Sequence, residues 1–200
     1  VTFLHSVCAR SHGYIVSGFC ERDGEHLYNS SILVGPHGLV GKYRKLHLFL
    51  NEKDIFAPGD AGLPVFDIGK CRIGMLVCFD WAFPEAWRVL ALKGADVISH
   101  PSNLVLPGLC QKVVQAHAIS NRVFVVTANR VGSERNLTFT GNSIICDPDG
   151  VRLKEATPTD ECVMFSSIDP SDARNKMVTP RNHLFEDRRP KEYTSLIERK

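Results

Sequence analysis

The pattern of apolar and polar positions changes period several times along this chain. Phe3, Leu4, Val7 and Cys8 fall at i, i+1, i+4 and i+5, the spacing of a helix's buried stripe. From there the period shortens to that of strands. Residues 14–19 (YIVSGF), 27–34 and 39–48 read as three strands, joined by turns at Asp23-Gly24 and at Gly35-Pro36-His37-Gly38. This predicts a β-meander. Residues 51–64 are polar and irregular, with a Pro58-Gly59-Asp60 turn, and are long enough for a functional loop.

Beyond that loop the apolar runs become continuous. Strands are predicted at 65–68 and 72–77 around Gly69-Lys70, then a helix over 84–93 with Pro84 in its first turn and Gly94 as its stop. A buried strand at 95–99, a loop over 100–108, a helix at 111–121 and a strand at 123–127 follow. Residues 143–145 and 151–154 flank an Asp147-Pro148-Asp149-Gly150 hairpin turn, and 162–168 reads as the last strand. From Asp172 the chain is polar and charged, a tail that is extended or docked on a partner. Hairpins and β-α-β units mix without a linker, so one layered α/β domain over residues 1–200 is expected.

Composition narrows the classes. With 24 Lys+Arg against 22 Asp+Glu the net charge is +2, which announces no nucleic-acid partner. The longest uncharged apolar runs are strand-sized, far short of a membrane span, and no basic segment followed by an apolar one opens the chain. The seven cysteines are odd in number and irregular in spacing, and no Cys/His set has zinc-ligand spacing. A reducing, cytoplasmic compartment fits them.

Three segments carry candidate chemistry. The first is RIGMLVCFDWAFPEAWRVL, where a buried strand delivers Cys78 to a turn before a helix. A thiol there can be held on a tight corner, with the helix dipole and free N–H groups favouring thiolate and a developing oxyanion. The same position also suits a buried, inert strand-end thiol. The second is GKYRKLHLF, where alternation places Tyr43, Lys45, His47 and Phe49 on one face: a pocket lining or a solvated edge. The third is His100-Pro101-Ser102-Asn103, pocket material beyond a strand or simple turn chemistry. His47 or His100 could in principle serve Cys78 as a papain-like base.

Taken together, YNSSILVGPHGLVGKYRKLHLF, NEKDIFAPGD, RIGMLVCFDWAFPEAWRVLALKGADVISHPSN, AISNRVFVVTANRVG and FTGNSIICDPDG resemble the nitrilase superfamily of carbon–nitrogen hydrolases over residues 13–189. The LFLNEK loop, CFDWAFPE turn and HPSNLVLP segment look most like its small thermophilic aliphatic nitrilase/amidase branch. The resemblance implies an α-β-β-α four-layer sandwich, a homodimer or higher homo-oligomer, a small-molecule substrate, and neither metal nor organic cofactor. It assigns Cys78 as nucleophile, Lys45 as catalytic lysine and Glu52 as the second, pocket-shaping glutamate. The same resemblance implies that Phe79 supplies an oxyanion N–H and that Trp81 and Asn103 border the substrate. Neither His47 nor His100 matches a catalytic position of the family.

The expected activity is hydrolysis of a small nitrile or amide through a cysteine thioester, releasing ammonia. An N-carbamoyl amide hydrolase and an inactive structural subunit are the alternatives. The family's general-base glutamate has no match, because the β-α unit that ends in it would precede Val1; Glu21 and Glu25 lie on the following hairpin. The chain therefore reads as a fragment lacking a first strand and helix, expected on its own to be nearly inactive and poorly soluble.

Overall fold

The structure, a computed structural model, describes residues 1–198. Helix α1 (Thr2–Ser11) leads into β1 (Ile15–Asp23), β2 (His26–Gly35) and β3 (Gly38–Arg44). These strands form an antiparallel sheet in the order β1-β2-β3. The expected meander is present, and its first hairpin closes at the Asp23–His26 pair with Gly24 at φ +58°. The α1 stripe is only partly as expected. Cys8 is buried beside Ile32 and Val34, whereas Phe3 is 75% exposed.

A short 3-10 turn at Leu50–Asp54 precedes the second sheet. That sheet is built from β4 (Val65–Asp67) and β5 (Arg72–Met75), then β6 (Val97–Ser102) and β7 (Phe124–Asn129). Between β5 and β6 lie a 3-10 turn at Cys78–Ala82 and helix α2 (Pro84–Leu92); α3 (Leu109–Asn121) joins β6 to β7. A small hairpin, β8 (Ser133–Glu134) with β9 (Leu137–Thr138), precedes β10 (Ile144–Cys146) and β11 (Arg152–Glu155). The six-stranded order is β11-β10-β7-β6-β5-β4, with β5, β6 and β7 parallel and the outer pairs antiparallel. Helix α4 (Pro170–Arg174), the β12 (Met177–Thr179) and β13 (Asn182–His183) ribbon, and a 3-10 turn at Pro190–Leu196 follow.

Sequence period explains how these parts share a core. Helix α2 buries Ala86, Trp87, Leu90 and Ala91, one face of a 3.6-residue repeat. They meet Met75, Leu76 and Ile98 of the second sheet, Val114 and Ala118 of α3, and Leu33 and Tyr43 of the first sheet. The expected mixed α/β architecture is what the chain forms. Among the described residues, no helix is long and apolar enough to cross a membrane.

Four sequence expectations change. Residues 162–168 form no strand, and Val163 and Phe165 are each 78% exposed: alternation without a partner strand makes no ladder. The strand expected over 39–48 stops at Arg44, because side chains capture the next N–H groups. Leu46 N–H donates to Tyr43 Oη, His47 N–H to Asp80 and Phe49 N–H to Glu52. The strand expected to end at Ser99 runs through Ser102 as β6. Pro101 is tolerated there because β5 has already stopped pairing at Ser99. The tail beyond Asp172 packs in part on its own chain, with Ala173 buried in the core cluster and Lys176 Nζ donating to the carbonyls at the end of α3.

Candidate active site

Cys78 stands where β5 gives way to the 3-10 turn, with φ +48°, a left-handed conformation unusual for a residue with a side chain. Strain of this kind, about 1–3 kcal/mol, persists only where neighbours over-determine it. Asp80, two residues on, is a large part of that determination. Its fully buried carboxylate accepts from Val77 N–H at 2.8 Å, Tyr43 Oη–H at 2.8 Å, His47 Nδ1 at 2.8 Å and His47 N–H at 3.3 Å. One carboxylate thus ties the turn that carries Cys78 to the segment that carries Lys45.

Lys45 has no exposed side-chain surface, and its Nζ donates to Glu52 Oε2 at 2.6 Å. Glu52 is held in turn by Phe49 N–H on Oε2 at 2.8 Å and Asn29 Nδ2 on Oε1 at 2.9 Å. The Lys45 backbone is clamped on both sides: its N–H donates to Asn29 O, and its carbonyl accepts from Gly59 N–H at 2.9 Å. A buried ammonium needs such a partner set.

The alternation of GKYRKLHLF is resolved by these bonds. Tyr43 and Lys45 point inward, but Arg44 is buried too, on Glu21, while Glu25 is exposed in the hairpin turn. His47 stacks on Phe83 at 3.5 Å and is spent on Asp80. His100, read from sequence as the start of a loop, lies fully buried in β6, and its Nε2 meets the backbone carbonyl of Cys78 at 2.8 Å. Both imidazoles are therefore engaged elsewhere than on the thiol.

A cavity of about 650 Å³ opens beside Cys78. Asn29, Glu52, Ser102 and Asn103 supply its polar edge, and Phe49, Phe56, Val105 and Phe139 line its apolar wall. Arg130 and Glu134, paired at 2.6 Å on the β8–β9 side, complete it. The exposed Asn103 turns its carbonyl toward Cys78 Sγ at 3.8 Å. Phe79 and Trp81 line a separate recess of about 20 Å³ that also reaches Cys78, their rings meeting edge to face. Of the residues singled out from sequence, Cys78, Glu52 and Asn103 line this cavity, and Lys45 lies buried against Glu52. Sequence reasoning missed Asn29, Asp80 and the β8–β9 wall, whose roles depend on contacts between distant segments.

The electrostatics correct one expectation. The turn's N–H groups were expected to favour thiolate, yet the thiol is raised above its ordinary range. Burial is the largest cause and outweighs the opposing Lys45 charge and Phe79 amide. Chemically, the arrangement offers a thiol at the edge of an apolar chamber, with the Lys45 charge and the Phe79 amide acting on it and a proton that must leave the sulfur before it could attack. Among the described residues, no cluster of three or more His, Cys, Asp or Glu side chains could hold a metal ion.

Known proteins share this arrangement of elements over most of their length. The sequence profile of the carbon-nitrogen hydrolase family matches residues 1–176. A nitrilase of Pyrococcus abyssi is 50% identical over 192 residues, 96% of this chain and 73% of that protein. A citrullinase of Francisella tularensis is 32% identical over 213 residues, covering 97% of this chain and 74% of its own. The crystal structure of a carbon-nitrogen hydrolase from Helicobacter pylori superposes with a TM-score of 0.90 at 25% identity, over 99% of this chain and 75% of that one. A match this long, at this identity, leaves one assignment: the chain belongs to the carbon-nitrogen hydrolases of the nitrilase superfamily.

Proposed function

We propose that this enzyme cleaves the carbon–nitrogen bond of a small nitrile or amide through a thioester on Cys78 and releases ammonia. The observation that carries the reading is Cys78 itself, displayed on a positive-φ turn at a mostly apolar cavity, with the buried Lys45 charge acting on its sulfur. For an amide, Sγ gives its proton to a base and attacks the carbonyl carbon. The oxygen takes up the electron pair and becomes negative. Lys45 Nζ and the Phe79 N–H are the groups suited to stabilise that charge, and Glu52 holds the ammonium in place. Collapse of the intermediate expels ammonia with one added proton, and water then cleaves the thioester to the carboxylic acid and free thiol.

The apolar wall of Phe49, Phe56, Val105 and Phe139 favours a small, weakly polar substrate over a charged one, because Arg130 is already neutralised by Glu134. The test is ammonia release from matched nitriles, amides and N-carbamoyl compounds by the full-length native protein and its Cys78→Ala variant. Turnover of a nitrile or amide that vanishes in Cys78→Ala is expected. Turnover that survives it, or that is confined to carbamoyl compounds, overturns the reading. The same proposal includes homo-oligomeric assembly and a reducing, cytoplasmic setting. Exposed Val163, Phe165 and Ile197 offer apolar surface for assembly, and the seven free cysteines suit the setting. Sedimentation of the native protein measures the assembly.

A further inference from the structure

His100 is fully buried in the middle of the second sheet, opposite Thr127 in the β6–β7 register, and no step of the proposed reaction uses it. Its ring nitrogens each have one close partner, with Ser102 Oγ farther off at 3.4 Å from both. Nε2 lies 2.8 Å from the Cys78 carbonyl oxygen, which can only accept, so Nε2 carries the hydrogen. Nδ1, left with a lone pair, lies 3.1 Å from Thr127 Oγ1, so the hydroxyl donates to it. Trp87 packs edge-on to the ring at 5.7 Å and fixes its plane. Burial pushes the imidazole down to about 4, so this neutral tautomer holds throughout the working range. The charged and titratable groups that face it are Asp80, Lys45 and His117, none of which reverses that direction.

The atom His100 grips belongs to the peptide that joins the nucleophile to the next residue. In a planar trans peptide the C=O and N–H point to opposite sides, so fixing the Cys78 carbonyl also fixes the Phe79 N–H. The Cys78 φ of +48° rotates this peptide away from the ordinary strand orientation, and an unpinned plane would relax. With the carbonyl turned toward β6, the Phe79 amide faces the Cys78 sulfur and opposes the effect of burial on it.

We propose that His100 is a positioning residue: by donating to the Cys78 carbonyl it aims the Phe79 N–H at the sulfur and at the oxygen that becomes negative beside it, with Thr127 fixing the tautomer. The inference rests on the cysteine-hydrolase reading but is tested without a substrate. Alkylation of Cys78 by iodoacetamide is followed by mass spectrometry of its own peptide, which separates it from the exposed Cys20 and Cys162. The rate is measured from pH 6 to 10, a range over which the buried His100 stays neutral.

In His100→Phe the midpoint of the alkylation profile is expected to move upward, and kcat on a turned-over amide to fall about 10- to 100-fold with KM little changed. His100→Gln, which restores a donor near the Nε2 position, should recover most of both. Thr127→Val should shift the midpoint in the same direction by less, and it remains decisive if His100→Phe does not fold. A wild-type midpoint in folded His100→Phe or in Thr127→Val, or a Gln variant no better than Phe, overturns the proposal. Turnover that persists in Cys78→Ala would instead sink the hydrolase reading, so the two failures are distinct.

Discussion

Acid should release a clamp on the residue next to Lys45. Glu21 of β1 is almost wholly buried, and its two oxygens accept from Arg44 Nη2 at 2.6 Å, Arg44 Nε at 3.1 Å and Ser30 Oγ at 2.6 Å, with Lys42 as a further partner. Arg44 reaches on to Asp23 and Asp60 and immediately precedes Lys45. The Arg44 hydrogen bonds are the largest cause holding the Glu21 carboxyl at about 2, against an ordinary value of 4.5. The folded state therefore favours the ionised form. The stability this contributes is complete above pH 4.5 and is lost as pH falls from 4.5 toward 2. At 1.36 kcal/mol per pH unit it amounts to about 3 kcal/mol. Urea unfolding of the wild type and Glu21→Gln from pH 7 to pH 2 isolates the effect. The wild type's advantage should narrow by about 3 kcal/mol across the acid window. A difference between the two proteins that stays constant with pH would refute the reasoning.

Two further outcomes follow from the same segment. Gly59→Ala would place a Cβ 2.1 Å from the Arg44 carbonyl oxygen, backbone against backbone, in the loop that clamps Lys45. It should cost about 1–3 kcal/mol in urea unfolding and at least tenfold in kcat. Tyr43, held well above its ordinary range by burial and then by the Asp80 charge, favours its protonated form when folded. That stability is present below pH 10 and lost as pH rises beyond it, so Tyr43→Phe should be less stable at pH 7 yet lose less between pH 9 and 11 in the same assay.

Much of the fold was legible because burial imposes a period. Alternation marked β1 to β3, continuous apolar runs marked β5 to β7, and the Ala86-Trp87-Leu90-Ala91 face with Pro84 and Gly94 marked α2. What escaped were ends decided by side chains from elsewhere: β3 stops because Asp80, Glu52 and Tyr43 capture the following N–H groups. The exposed segment around Val163 and Phe165 has a strand's alternation but no neighbour to bond. For the site, Cys78 and its turn stood out in the sequence, while the place of Glu52 came from the family likeness. The direction of the thiol's shift was not legible, since it is a balance between burial and the Lys45 charge that only coordinates weigh. His100 stood out in the sequence only as pocket material or a base for the thiol; its bond to a backbone carbonyl carries no sequence signature.

The shared carboxylate of Asp80 bears on how this site can vary. Tyr43 and His47 belong to the segment of Lys45 and Val77 to that of Cys78, yet all three are satisfied by one side chain. Substitutions at Tyr43 and Asp80 will not be additive, and the second will cost much less once the first has been made. Single changes here cross a valley in fitness that a paired change can avoid. The Lys45 and Cys78 segments are therefore coupled by epistasis, and sequence exploration around them proceeds in linked steps.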